Sequence, residues 1–167
     1  MLATSATEGY YGFIIWAFQH TESNIAETGL NLLLAMLKKF QASEFCNQFH
    51  QTYFLNIEQE IFAVLTYSFH KPGFKLHVLL LQHLFSLVNS GSLTEPLWDS
   101  SIVSQTYPDN VMFVRDYTIT LLSTSFPNMS ISAVTLFVNS LFESRNNSAT
   151  FKEHIWDFLV QSKGFSS

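Results

Sequence analysis

Apolar residues return every third or fourth position along most of this chain, the rhythm of one face of an α-helix, and no segment alternates as a half-buried strand would. A short apolar run predicts a first helix over 11–20. The second spans 24–40, with Ala26, Leu30, Leu33, Leu37 and Phe40 along one face. Asn24 is placed to cap it, and Glu27 three residues on completes a capping-box spacing. Leu32, Leu34 and Met36 cover other sides, which predicts burial on more than one face. The longest helix, over 43–69, sets Phe45, Phe49, Tyr53, Ile57, Ile61 and Leu65 four residues apart, with Ser43 as its cap. His70-Lys71-Pro72-Gly73 stops it, because proline cannot continue the hydrogen-bond ladder.

A fourth helix over 74–90 carries Leu76, Leu80, Leu84 and Leu87 on one face, and Gly91 follows as a left-handed cap. The stretch 91–108 is irregular, rich in Ser and Thr, and reads as a surface loop anchored by Leu97 and Trp98. A fifth helix spans 109–125, with Asp109 at its positive end. After Pro127 come a sixth over 130–144, with Val134, Phe137, Val138 and Leu141 inward, and a seventh over 148–163. The last helix presents Phe151, Ile155, Phe158 and Leu159, with Ser148 as its candidate cap. The fold class is therefore all-α. Short turns make successive helices antiparallel neighbours, and second helices begin near Asn24, Phe74 and Ser130. Those intervals, about 50 and about 56 residues, are looser than the roughly 40–47 of HEAT or armadillo units. An irregular superhelix of stacked helical hairpins fits best, with a single globular bundle as the other architecture.

Composition sharpens this picture. Charged residues are only 13% of the 167, against about 25% in an ordinary soluble domain, and aromatics reach 16% with 17 Phe. Six Gly and four Pro leave few breakers, which favours long helices. The net charge of −5 and the scattered basic residues give no stripe for nucleic acid. One cysteine permits no internal disulfide and suits a reducing compartment, nuclear or cytosolic. Tyr10 to Phe18 lacks the basic flank and cleavage site of a secretory signal, and no apolar run approaches the roughly 18 residues that cross a bilayer. The first helix has no charge between Gly9 and Gln19. Stacked repeats need a polar end to stay soluble, so this apolar opening predicts a piece of a larger array, continued on its amino side.

Catalytic chemistry finds little purchase. The six histidines, His20, His50, His70, His77, His83 and His154, form no HExxH pair and read as surface or loop residues. Glu58 and Glu60, two apart on a helix, diverge, and a solvated face is the expectation for both. Cys46 lies one turn from His50, the spacing of an activated thiol, but it sits between Phe45 and Phe49 with no orienting third group, which favours core packing. Asn128-Met-Ser and Asn146-Asn-Ser match glycosylation acceptors without a secretory signal to expose them. The aromatic stripes admit a small hydrophobic-ligand cavity, although such stripes at helical spacing form cores. No catalytic, cofactor-binding or metal residue is assigned, and no enzyme activity or cofactor is expected.

Longer stretches carry a resemblance. Residues 14–40 (IIWAFQHTESNIAETGLNLLLAMLKKF), 43–85 (SEFCNQFHQTYFLNIEQEIFAVLTYSFHKPGFKLHVLLLQHLF), 91–98 (GSLTEPLW) and 151–163 (FKEHIWDFLVQSK) closely resemble the carboxy-terminal region of the exportin-1 family. These are nuclear export receptors of the importin-β or karyopherin superfamily, and the likeness is strongest to plant versions. HKPGFK (His70 to Lys75) and DFLVQ (Asp157 to Gln161) are especially characteristic. The resemblance covers about Ile14 to Ser167; 1–12 do not share it, which divides the chain into a non-family segment, 1–12, and family repeats, 13–167.

The resemblance implies HEAT-like repeats of a receptor that binds the GTP-bound GTPase Ran, cargo bearing leucine-rich export signals, and Phe-Gly nucleoporins while shuttling between nucleus and cytoplasm. Ran and cargo loading are mutually cooperative in such receptors. The Ran-gripping repeats, the cargo groove and its reactive cysteine lie outside the region resembled; Cys46 does not match that cysteine, and the acidic tail of the family is not reached. No cargo- or Ran-contacting residue carries over. The expectation is a segment unable to bind cargo alone, with a stand-alone helical interaction module as the alternative.

Overall fold

The computed structural model describes residues 4–19, 22–41, 43–67, 74–99, 101 and 107–163. Among them lie seven helices and no strand: α1 (Thr4–Phe18), α2 (Ser23–Gln41), α3 (Cys46–Tyr67), α4 (Phe74–Asn89), α5 (Asn110–Ser125), α6 (Ile131–Glu143) and α7 (Ser148–Ser162). The predicted elements are thus present, but α1 begins at Thr4, well before the predicted Tyr11, and runs unbroken through the position where a segment boundary was expected. His20 and the His70 to Gly73 turn lie outside the described residues.

Neighbouring helices pair as hairpins, α1 with α2, α3 with α4 and α5 with α6, and the hairpins stack through α2 on α4, α4 on α6 and α3 on α5. The last helix folds back onto both α6 and α4. The fourth helix is therefore the axis of the stack, and it buries Phe74, His77, Val78, Leu80, Leu81, Leu84, Phe85, Leu87 and Val88, more than one stripe. Helices covered on several sides lose their polar face, which is how the low charge content is used. Rings interlock along the joints: Phe40 stacks on Phe49 at 4.3 Å, Phe85 tilts against Phe142 at 4.9 Å, and Phe137 stacks on Phe158 at 4.1 Å.

Side chains satisfy the backbone groups that helix ends leave open. Asp109, at the positive end of α5, accepts from Met112 N at 2.9 Å, and Ser130, just before α6, accepts from Ala133 N at 3.1 Å. The cap of α7 is Asn147, which accepts from Thr150 N at 3.1 Å. Ser148, the predicted cap, instead donates to Gln82 Oε1 of α4 at 3.0 Å. Asn24 lies inside the first turn of α2, where Oδ1 accepts from the adjacent Ile25 N, so the predicted capping box is not its role. Ser43 holds the entry to α3 by accepting from Phe45 N at 3.0 Å. Gly91, at φ +84°, takes the left-handed turn after α4 that a side chain would resist.

The loop after α4 is pinned from two helices. Asn47 of α3 accepts from Thr94 N and Glu95 N at 2.8 and 3.2 Å. Asn110, buried at the start of α5, accepts from Leu97 N at 2.9 Å and donates to the carbonyls of Leu93 and Glu95 at 3.1 and 3.0 Å. Leu97 is buried, and Trp98 packs on Tyr107 and Phe113, so both predicted anchors hold the loop down.

Candidate functional site

The polar groups singled out by spacing do not converge. Cys46 is buried, and burial raises its thiol pKa, the opposite of what a nucleophile needs. His50 is only 1% exposed, meets Phe49 and Phe54 edge-on, and has no hydrogen-bond partner at either ring nitrogen. Burial first, and His83 second, push its pKa down to about 4, so it is neutral at physiological pH. His77 is buried as well and His83 half-buried. The surface reading of these histidines is therefore corrected: α3 and α4 are covered on both sides. Among the described residues no three His, Cys, Asp or Glu side chains gather as a metal site.

Glu58 requires the larger correction. It is 0% exposed, deep between α3 and α5, whereas Glu60 reaches partial solvent and accepts from Gln19, in the turn just past α1. Glu58 Oε2 is hydrogen-bonded to the Thr118 hydroxyl, and Oε1 has no partner. Burial raises its pKa to about 8; a Thr118 proton turned toward it would act the other way but is the smaller influence. A buried carboxyl with no cation beside it keeps its proton. The signal was in the sequence: Cys46, His50, Phe54, Glu58 and Phe62 repeat every four residues, a second inward stripe of α3.

Among the described residues the large apolar side chains left exposed lie on α1, on α6 (Ile131 and Leu136) and on α7 (Trp156), and those of α1 are all aromatic. Across one arc of α1, Tyr10, Phe13 and Trp16 stand 46, 52 and 56% exposed, and the Phe13 and Trp16 rings stack at 6.0 Å. Gly9 and Gly12 beside them would meet nothing if they carried a Cβ, so the backbone is open there to close approach. The other arc holds α1 in place. Ile14 and Ala17 are buried, Tyr11 packs on Tyr53 at 4.2 Å, and the Tyr11 hydroxyl donates to Asn56 Oδ1. Exposed aromatics in one contiguous patch mark a contact surface.

Stacked hairpins with side-chain-capped ends and an apolar terminal face define a helical-repeat protein whose working parts are surfaces. The chain belongs to the family described as CRM1 C terminal, whose model matches residues 6–167. It is 71% identical over 154 residues to Protein EXPORTIN 1A of Arabidopsis thaliana, covering 92% of this chain and 14% of that protein. It is 40% identical to Exportin-1 of Schizosaccharomyces pombe, over 91% of this chain and 14% of the relative. For Exportin-1 of Drosophila melanogaster the figures are 38%, 89% and 13%. The resemblance read from the sequence is thereby established, including its plant character. The chain spans about one seventh of the length of these relatives, and no helix among its described residues is long and apolar enough to cross a membrane.

Proposed function

We propose that this chain supplies the carboxy-terminal rungs of a nuclear export receptor of the exportin-1 type, and that alone it does not hold cargo. The observation that carries the reading is 71% identity over nearly the whole chain to a protein named as an exportin, of which it covers only 14%. In that role it contributes shape and stacking surface rather than chemistry. Ran-GTP, cargo with leucine-rich export signals and Phe-Gly nucleoporins are partners of the assembled receptor, which shuttles between nucleus and cytoplasm. The exposed Tyr10, Phe13 and Trp16 then serve as the joint for the preceding helical hairpin.

Two measurements test this. Fluorescence anisotropy with a leucine-rich export-signal peptide is expected to show no binding to the 167-residue chain, with or without Ran-GTP; Ran-GTP-dependent binding would refute the claim that it cannot act alone. Residues 14–167, exchanged into the corresponding region of EXPORTIN 1A, are expected to sustain nuclear export of a reporter, and an inactive but folded chimera would overturn the receptor role. The exposed α1 face also favours a second reading, a stand-alone interaction module. A pull-down of Phe-Gly repeats by the isolated chain, abolished by Phe13→Ser, would support that module instead.

A further inference from the structure

Thr118 takes part in two hydrogen bonds with a single hydroxyl proton. Its Oγ1 lies 2.7 Å from the Val114 carbonyl oxygen, one turn back on α5, and it is also bonded to Glu58 Oε2 of α3. A carbonyl only accepts, so the Thr118 proton is committed to Val114. The bond to Glu58 then needs a proton from Glu58 itself. We propose that Glu58 is a proton-held fastener between the second and third hairpins: its neutral acid donates to Thr118, Thr118 donates to Val114, and loss of the Glu58 proton loosens the joint between α3 and α5.

The placement supports a joint rather than an isolated core defect. Packing between α3 and α5 joins one hairpin to the next, and Glu58 provides the side-chain hydrogen bond across it at a fully buried point. An ionised Glu58 would put charge on an Oε1 that has no partner, and could capture the Thr118 proton only by stripping Val114. Several titratable or charged side chains lie on the elements around it. They are Glu8, Tyr10 and Tyr11 on α1; Glu27, Lys38 and Lys39 on α2; His50, Tyr53 and Glu60 on α3 itself; Lys75, His77 and His83 on α4; and Arg115, Asp116 and Tyr117 on α5. Of these, Tyr117 is the one coupled to Glu58, whose charge disfavours its ionisation, and no cation is among the groups that act on Glu58.

The linkage has a definite sign. Glu58 ionises near 4.5 in the unfolded chain and near 8 in the folded one, so stability held below the first value is lost as pH rises through the second. Thermal unfolding of the 167-residue chain, followed by circular dichroism between about pH 5 and about pH 8.5, tests it against Glu58→Gln, whose amide still donates to Thr118. The wild-type Tm is expected to fall progressively relative to that of the variant across this window. Parallel profiles would overturn the proposal. Should Glu58→Gln not fold, the carboxyl 13C shift of Glu58 in the wild-type chain near neutral pH decides: the protonated-acid position supports the fastener, and the carboxylate position sinks it.

Discussion

His50 and Glu58 lie two turns apart on the same buried stripe of α3, yet they pull on stability from opposite ends of the pH scale. An unfolded histidine takes up a proton near 6.5, while the buried His50 resists until about 4. Its contribution is thus present above 6.5 and lost as pH falls through that window, at a cost on the order of 3 kcal/mol for one proton across the shift. Glu58 works the other way, losing stability as pH climbs from 4.5 to about 8. Between roughly 4.5 and 6.5 the two slopes cancel, which predicts a flat optimum on the acid side of neutrality. His50→Leu, which keeps the volume and removes the proton site, is expected to change that plateau into a continuous decline with rising pH. Urea denaturation at several pH values measures it, and an unchanged profile would show that His50 takes up its proton as readily in the folded chain as in the unfolded one.

At the scale of elements, the same four-residue spacing explains what could and could not be read in advance. The faces of α6 and α7 were legible because each helix has one apolar stripe, and Val134, Phe137, Val138, Leu141, Phe151, Ile155, Phe158 and Leu159 are all buried. On α3 and α5 a second buried stripe includes polar residues, and a pattern search that counts only apolar positions passes over it. Asn110, Val114, Thr118 and Leu122 form that stripe on α5. What hides there is function within the fold: Thr118 meets Glu58, and Asn110 ties down the loop after α4. The cap of α7 was misread for a more local reason, since Asn147 and Ser148 are both good caps and only the bond to Gln82 shows which is engaged elsewhere. Asn110→Ala is expected to cost about 2 kcal/mol, because it leaves the Leu97 N–H and the Leu93 and Glu95 carbonyls without their partner. Asn110→Asp is expected to cost more, since it turns a carboxylate oxygen onto those two carbonyls. Guanidinium unfolding orders the variants, and hydrogen exchange at Leu97 reports whether the loop has come loose.

Seen whole, the molecule is a stack with unequal ends. At its far end α7 folds back across α4 and α6, and Asn128 of the turn between α5 and α6 donates to the Ser162 carbonyl at 2.8 Å, while Ile131 and Leu136 of α6 and Trp156 of α7 stay exposed singly. At the near end α1 leaves Tyr10, Phe13 and Trp16 outward. Placing three large aromatics in water gains nothing for an isolated hairpin, whereas burying them against another rung gains about 2 kcal/mol or more apiece. The double change Phe13→Gln with Trp16→Gln therefore separates the two settings. In the 167-residue chain it is expected to leave stability within about 0.5 kcal/mol, as at other surface positions, while reducing self-association in sedimentation velocity. With the same segment carried in full-length EXPORTIN 1A, the pair is expected to cost roughly 3 kcal/mol or more at the joint, as large-to-small changes in a packed core do. Faster hydrogen exchange along α1 would register that loss. Equal protection of α1 in the two full-length proteins would mean that this aromatic face meets something other than the neighbouring rung.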